Sequence, residues 1–310
     1  MKPYFIALLF LLSFFSYSQE ESFTQEQLTI TKHIDGTLLL PILDEVKKPD
    51  LAIIIAGSGP TDRNGNQNFL KNNSLKKLAE GLTNKGIATF RFDKRVVKQI
   101  RQGNVDPNIM FDDFVSDAKD VIAFFNKDDK YNAIYVIGHS QGSLVGMLNA
   151  DENVDGFISI AGAGRNIGDV IVEQVTKMAP QLGVEAQKVV DQLKKGKTTT
   201  DYPQVLASVF NADIQEFMIN WMKYEPTEIL SSLQIPILII NGTKDLQVTE
   251  EEANLLKKAN DEAELVIIEN MNHVLFEIKG DDLENSKSYN EIQRPLATEL
   301  IESIVNFINP

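Results

Sequence analysis

The chain has no cysteine and only three histidines, His33, His139 and His273, among 310 residues. The missing cysteines exclude disulfides, thiolate zinc sites, a cysteine nucleophile and a lipoprotein anchor. The scarcity of histidine means that any chemistry needing an imidazole must draw on one of three residues. Positive charge is also in short supply: 30 Lys and Arg face 44 Asp and Glu, for a formal net charge of −14. Such a charge repels duplexes and anionic membranes, so no nucleic-acid partner is expected. There is no H-E-x-x-H and no glycine fingerprint of a dinucleotide or phosphate site, so neither a metal nor a cofactor is expected. What is present is an ordinary globular composition, 43% hydrophobic and 24% charged, long enough for one large domain or two small ones.

The first residues read as an export signal. Lys2 supplies a positive charge, and Tyr4 to Phe15 is almost wholly apolar. That run falls short of the ~20 residues a membrane span needs. Ser16 and Ser18 place small residues where a signal peptidase cuts. Residues 1–18 are therefore expected to be a signal peptide cleaved near Ser18, the alternative being an uncleaved anchor. The mature chain is expected to be exported, periplasmic or secreted. No later run is long and apolar enough to span a bilayer, so no integral membrane span is expected in the mature chain. Its oligomeric state is not legible.

Beyond the signal, strand and helix patterns alternate. Leu28–Lys32 and Gly36–Pro41 read as a hairpin. Leu51–Ala56, Ile87–Phe92, Ile134–Ile137 and Val154–Ile160 are short apolar runs of the kind buried on both faces of a parallel sheet. Ser74–Asn84, Phe111–Phe125 and Gln141–Ala150 carry helical spacing between them. The alternation stops over residues 166–234, where helix-like segments at Val170–Met178, Val184–Leu193 and Ile214–Lys223 occur with no strand. It resumes with a strand at Ile235–Ile240, a helix at Glu250–Ala259, a strand at Glu264–Ile268 and a helix from Arg294 to Ile308. Lys279–Lys287 reads as an exposed acidic loop. The expected fold class is α/β, a mostly parallel doubly wound sheet with an inserted helical cap. The domain reading is a core over 19–165 and 235–310, interrupted by the cap at 166–234, which is too long for a simple loop.

Gly138-His139-Ser140-Gln141-Gly142 fits G-x-S-x-G between an expected buried strand and an expected helix. That is the setting of a nucleophile elbow, whose turn is too tight for side chains at its flanking glycines. A serine hydroxyl needs a base. His139 adjoins Ser140 and cannot readily fold back onto it, so packing or hydrogen bonding beside the strand is its plainer role. His33 falls in the N-terminal hairpin, as a surface residue. His273 follows the Glu264–Ile268 strand and lies at the same sheet edge as Ser140, which makes it the candidate base. Asp245 follows the Ile235–Ile240 strand and is the candidate to orient His273, its plainer role being a turn or helix cap. Glu250, Glu251 and Glu252 read as the solvated first turn of the next helix. The candidate oxyanion donors are the backbone N–H groups of Gln141, the residue after the serine, and of Ser58 in the glycine-rich loop after the first buried strand.

These residues resemble the α/β-hydrolase superfamily, whose chain order is also Ser, Asp, His. Within it the chain resembles carboxylesterase-type, serine aminopeptidase-like hydrolases with a G-S-G-P-x-D-R-[DN]-G segment, here Gly57 to Gly65. The likeness continues through Arg91–Arg95, Gly138–Gly142, Ala161–Arg165, Tyr224–Pro226, Gly242–Val248 and Asn272-His273, and so covers about residues 25–310. It implies an esterase-like serine hydrolase with Ser140, Asp245 and His273 as triad and the helical insert as cap. Two departures stand out. Many relatives have histidine where this chain has Ala56, and many follow the D-K-R segment with a glycine turn where this chain has Val96-Val97-Lys98.

The leading expectation is hydrolysis of a small-molecule carboxylic ester through an acyl-serine. The alternatives are an aminopeptidase or thioesterase on the same fold, or a noncatalytic binding protein on a hydrolase scaffold. An aminopeptidase would want acidic groups in the cap, for which Asp191, Asp201 and Glu216 are available. Phe210, Phe217, Met218, Trp221 and Met222 read either as cap packing or as an apolar face for an acyl or alcohol group.

Overall fold

The structure, a computed structural model, describes residues 23–43, 47–127 and 129–310. The expected signal at 1–18 lies outside the described residues. The chain opens with an antiparallel pair, β1 (Phe23–Thr29) and β2 (Asp35–Pro41). Then come β3 (Leu51–Ile55), α1 (Ser74–Thr83), β4 (Ala88–Phe92), α2 (Arg95–Gln102), α3 (Phe111–Phe125), β5 (Ile134–His139), α4 (Gln141–Met147) and β6 (Gly156–Ile160). After β6 the chain runs through α5 (Ile167–Met178), α6 (Gly183–Leu193), α7 (Ala207–Phe210), α8 (Ala212–Trp221) and α9 (Pro226–Ser232). It closes with β7 (Ile237–Gly242), α10 (Glu250–Ala259), β8 (Glu264–Ile268), α11 (Asp282–Ser288) and α12 (Thr298–Ile308).

One 8-stranded sheet has the order β1-β2-β4-β3-β5-β6-β7-β8. β2 joins β4 antiparallel, and every later pairing is parallel. The apolar runs of β3, β5, β6 and β7 feed both faces. Ile53, Val136, Phe157 and Ile239 pack into one core, with α3, α4 and α10. Ile54, Ile137, Ile158 and Ile240 pack into the other, with α1 and α12. Burial on both faces is why these strands read as continuous hydrophobic runs. Parallel pairing brings the C-terminal ends of β3, β5, β7 and β8 to one edge, where open α/β sheets bind ligands.

Between β6 and β7 the described residues include no strand, and the helices there have a small core of their own. Phe210, Met218 and Met222 belong to that core. Phe217 and Trp221 turn toward the sheet domain instead: Trp221 stacks on Phe111 at 5.6 Å and Phe217 packs on Phe114 at 5.7 Å.

The structure corrects several sequence expectations. Lys279–Lys287 is not all loop: Asp281 caps the backbone N–H groups of Leu283 and Glu284, and α11 follows with Asn285 and Ser288 buried. The last helix begins at Thr298 rather than Arg294, because Pro295 disfavours helix in the residue before it and Leu296 bridges Phe276. The first strand ends at Thr29. The segment at Val96–Lys98, one of the two departures noted above, is part of α2. The short α7 and α9 and the mostly polar α2 had too few apolar residues in register to be read in advance.

Candidate active site

Ser140 sits between β5 and α4 with φ 54° and ψ −120°, a conformation that is strained for a residue with a Cβ. The flanking glycines are obligatory. A Cβ on Gly138 would lie 2.3 Å from the Gly142 carbonyl oxygen, and one on Gly142 would lie 2.3 Å from the Ile55 carbonyl oxygen. The backbone is therefore pressed against β3, and the serine stands at the N-terminus of α4. Gln141 is the first residue of that helix, so its N–H has no intrahelical acceptor.

Asp245 and His273 are brought together by the loops after β7 and β8. His273 Nδ1 donates to Asp245 Oδ2 at 2.7 Å, with both side chains almost wholly buried. The other carboxylate oxygen accepts from the backbone N–H groups of Gln247 at 2.8 Å and Val248 at 2.9 Å. A carboxylate only accepts, so Nδ1 carries the proton and Nε2 of a neutral His273 is left with its lone pair. Ser140 and His273 line one cavity, while no hydrogen bond joins their side chains among the described residues. Such contacts are often loose before substrate binds.

His139 is a support rather than a reactant. It approaches the His273 carbonyl oxygen through Nε2 at 2.8 Å, and the two rings lie 5.0 Å apart. Because a carbonyl only accepts, Nε2 bears the proton. Burial and the neighbouring His273 push the His139 pKa down to about 4, so the ring is neutral. His33, the third histidine, is half-buried beside the hairpin turn.

The His273 loop is also braced from behind. Asn272 donates to Asn285 Oδ1 and Ser288 Oγ of α11, each at 2.8 Å, and accepts from the Phe276 N–H at 2.9 Å. Asn285 in turn donates to the Lys244 carbonyl at 2.7 Å, next to Asp245. α11 thus couples the two loops that carry the Asp–His pair.

Lys94 was not picked out as a site residue by its sequence setting. It lies just past β4 with its ammonium enclosed. Nζ donates to the Gly57 carbonyl and to Gln141 Oε1, both at 2.6 Å, and to the Gly59 carbonyl at 3.3 Å. It also sits 4.6 Å above the Phe114 ring. Burial pushes its pKa down to about 7. Across a trans peptide the C=O and N–H point opposite ways. Holding the Gly57 oxygen therefore turns the Ser58 N–H away from Lys94. The cues in the sequence were a lysine two residues past a wholly buried strand and its place in the Arg91–Arg95 segment.

Glu252 departs from expectation. It is not solvated but 1% exposed. It accepts from the backbone N–H groups of Gly164 at 2.8 Å and Arg165 at 2.9 Å, and from Arg165 Nε at 2.6 Å. Arg165 also pairs with Glu173. The α10 first turn thereby ties down the loop after β6.

Two cavities meet at Ser58, Ser140 and Gln247. One, of about 170 Å³, is lined mainly by apolar side chains, among them Leu144, Ile171, Trp221 and Val248, with Gln141 and Arg165. The other, of about 350 Å³, is lined by polar groups including Thr61, Gln67, Ser74, His273 and Tyr289. No carboxylate lines either cavity among the described residues. Asp191, Asp201 and Glu216 are all exposed and line neither. Among the described residues, no group of three or more His, Asp or Glu side chains is arranged to hold a metal ion, and no helix is long and apolar enough to cross a membrane.

Residues 72–278 match the family described as serine aminopeptidase, S33. The chain belongs to this family. Its α/β-hydrolase fold is shared with solved structures. Est1E from Butyrivibrio proteoclasticus aligns with a TM-score of 0.58 at 19% identity, over 89% of this chain and 95% of that one. The α/β-hydrolase GrgF from Penicillium sp. sh18 aligns at 0.57 and 14% identity, over 92% and 97%. Among curated proteins, esterase EstD from Thermotoga maritima is 26% identical over 276 residues, which is 85% of this chain and 63% of EstD. The chain thus spans less than two thirds of EstD's length. Trp221 Nε1 is buried without a hydrogen-bond partner among the described residues, in a side chain that lines the apolar cavity.

Proposed function

We propose that this chain is a serine hydrolase that cleaves small-molecule carboxylic esters through an acyl-serine intermediate. The observation that carries the reading is the Asp245–His273 hydrogen bond of 2.7 Å at the edge of the cavity that Ser140 lines. His273 Nε2 takes the proton of Ser140 as its oxygen attacks the ester carbonyl, and Asp245 holds the ring and stabilises the imidazolium. The Ser58 and Gln141 N–H groups receive the developing oxyanion. Lys94 fixes the peptide that carries the first of these donors and the side chain of the residue that carries the second.

Esters are favoured over peptides by the cavity linings. An aminopeptidase must hold a substrate ammonium, and neither cavity offers a carboxylate to do so. The name of esterase EstD points the same way. Nothing expected of the triad is missing, which disfavours a noncatalytic scaffold. We further propose export with cleavage near Ser18, which N-terminal sequencing of the mature protein tests.

The assay is direct. Purified protein should turn over p-nitrophenyl esters at least tenfold faster, in kcat/KM, than amino-acyl p-nitroanilides. Preference for the anilides would move the assignment to a peptidase, and turnover of neither would remove the hydrolase reading.

A further inference from the structure

The two cavities that meet at Ser140 differ in chemistry, and the position of His273 decides which part of an ester enters each. In the proposed reaction the Ser140 oxygen bonds to the acyl carbon, and the bond from that carbon to the alcohol oxygen breaks. The proton that His273 took from Ser140 passes to the departing alcohol. Water then attacks the acyl carbon, the bond to Ser140 breaks, and the proton returns to the serine through His273. The alcohol oxygen must therefore leave on the His273 side, while the acyl group stays tethered to Ser140 on the other.

His273 lines the polar cavity and not the apolar one. We infer that the substrates are esters of a neutral polyhydroxylated alcohol, a sugar or polyol, with a short apolar acyl group. The acyl lobe is bounded by Leu144, Ile171, Trp221 and Val248, and by Arg165, whose charge is met by Glu173 and Glu252, and has about half the volume of the other. The alcohol lobe carries hydroxyls with unspent capacity. Ser74 is 2% exposed, and its hydroxyl has no protein partner among the described residues. Tyr289 Oη accepts from Gln247 at 3.0 Å, and its own proton has no acceptor there. Burial pushes the Tyr289 pKa up to about 12, so this donor is kept. Hydroxyls with spare donor and acceptor capacity match those of a sugar or polyol. The lobe contains no Lys, Arg, Asp or Glu, and His139 is neutral, so it offers no countercharge to an ionic alcohol.

This inference rests on the hydrolase reading, and the test separates the two. Butyrate esters of methyl α-D-glucoside, glycerol and cyclohexylmethanol are compared with p-nitrophenyl butyrate as the control for acylation. The expected result is a kcat/KM at least tenfold higher for the glucoside or the glycerol ester than for the cyclohexylmethyl ester, the two hydroxylated arms telling sugar from polyol. Tyr289→Phe should narrow that ratio. Ile171→Trp should lower butyryl relative to acetyl turnover at constant alcohol. Equal or reversed alcohol preference overturns the inference while p-nitrophenyl butyrate turnover keeps the hydrolase reading. An Ile171→Trp effect confined to alcohol preference reverses the lobe assignment and overturns it too. Failure on every ester, the control included, removes both.

Discussion

Lys94 donates a 2.6 Å hydrogen bond from its buried ammonium to the carbonyl oxygen of Gly57. That contact fixes the peptide whose N–H belongs to Ser58. Removing an oxyanion donor outright typically costs about 10²–10³ in kcat. Lys94 acts one bond away, so Lys94→Met should lower kcat about 10–100-fold with a smaller change in KM. Steady-state kinetics on a p-nitrophenyl ester reads this split. A rise in KM alone would place Lys94 in substrate binding instead.

The same lysine makes a pH prediction. Its folded pKa is pushed down from 10.5 to about 7 by burial. Between these values the unfolded chain binds the proton more tightly, so this group makes stability rise with pH over that window and contributes no slope below about 7. Urea midpoints of wild type and Lys94→Met, measured from pH 6 to pH 10, should show the wild type gaining on the variant as pH rises. Parallel curves would contradict the burial of a titrating amine.

Ser140 holds a positive φ at a position where its hydroxyl is wanted. Ser140→Gly and Ser140→Ala should both be inactive. The glycine variant should be the more stable of the two by about 1 kcal/mol, since only alanine keeps the Cβ strain. Thermal denaturation of the two variants checks the order, and the alanine variant melting higher would count against a strained elbow.

Glu252 is a structural carboxylate whose loss leaves buried donors unpaired. Glu252→Ala should destabilise the protein by about 3–5 kcal/mol, the scale for breaking a buried charge pair. Denaturant unfolding measures it. A change under 0.5 kcal/mol would mean that the loop after β6 is held by something else.

Asp93 organises the segment after β3. It accepts from the Arg63 backbone N–H and guanidinium, each at 2.8 Å, and from Arg101. Burial alone would raise its pKa, but the Arg63 hydrogen bonds and the two guanidinium charges hold it below the ordinary 3.8. A depressed carboxylate contributes stability that is full above its unfolded value and lost as pH falls through the folded one. Asp93→Asn should therefore lose stability at pH 7 and show a shallower loss than wild type on acidification below about pH 4. Curves that keep a constant offset down to pH 2 would argue against it.

What was legible in the sequence was local. The elbow at Gly138–Gly142 is a contiguous motif between a strand and a helix, and Asp245 and His273 each lie in the loop after a strand, so chain order alone brought them to one edge. The buried runs of β3, β5, β6 and β7 announced the parallel sheet. What escaped depends on partners far along the chain. Lys94 meets Gln141 47 positions away, and Glu252 meets Gly164 88 positions away. A charged residue whose partners are remote looks like any solvated one. α11 was missed for a related reason: its polar surface hid two residues, Asn285 and Ser288, that face inward to brace the His273 loop.

The account stands on Ser140 as the nucleophile. A fluorophosphonate reacts with an activated serine and leaves a covalent adduct that intact-mass and peptide mass spectrometry can locate. One adduct on wild type, mapped to Ser140 and abolished in Ser140→Ala and in His273→Ala, is the result predicted. Equal labelling of wild type and Ser140→Ala, or no labelling of either, would contradict it.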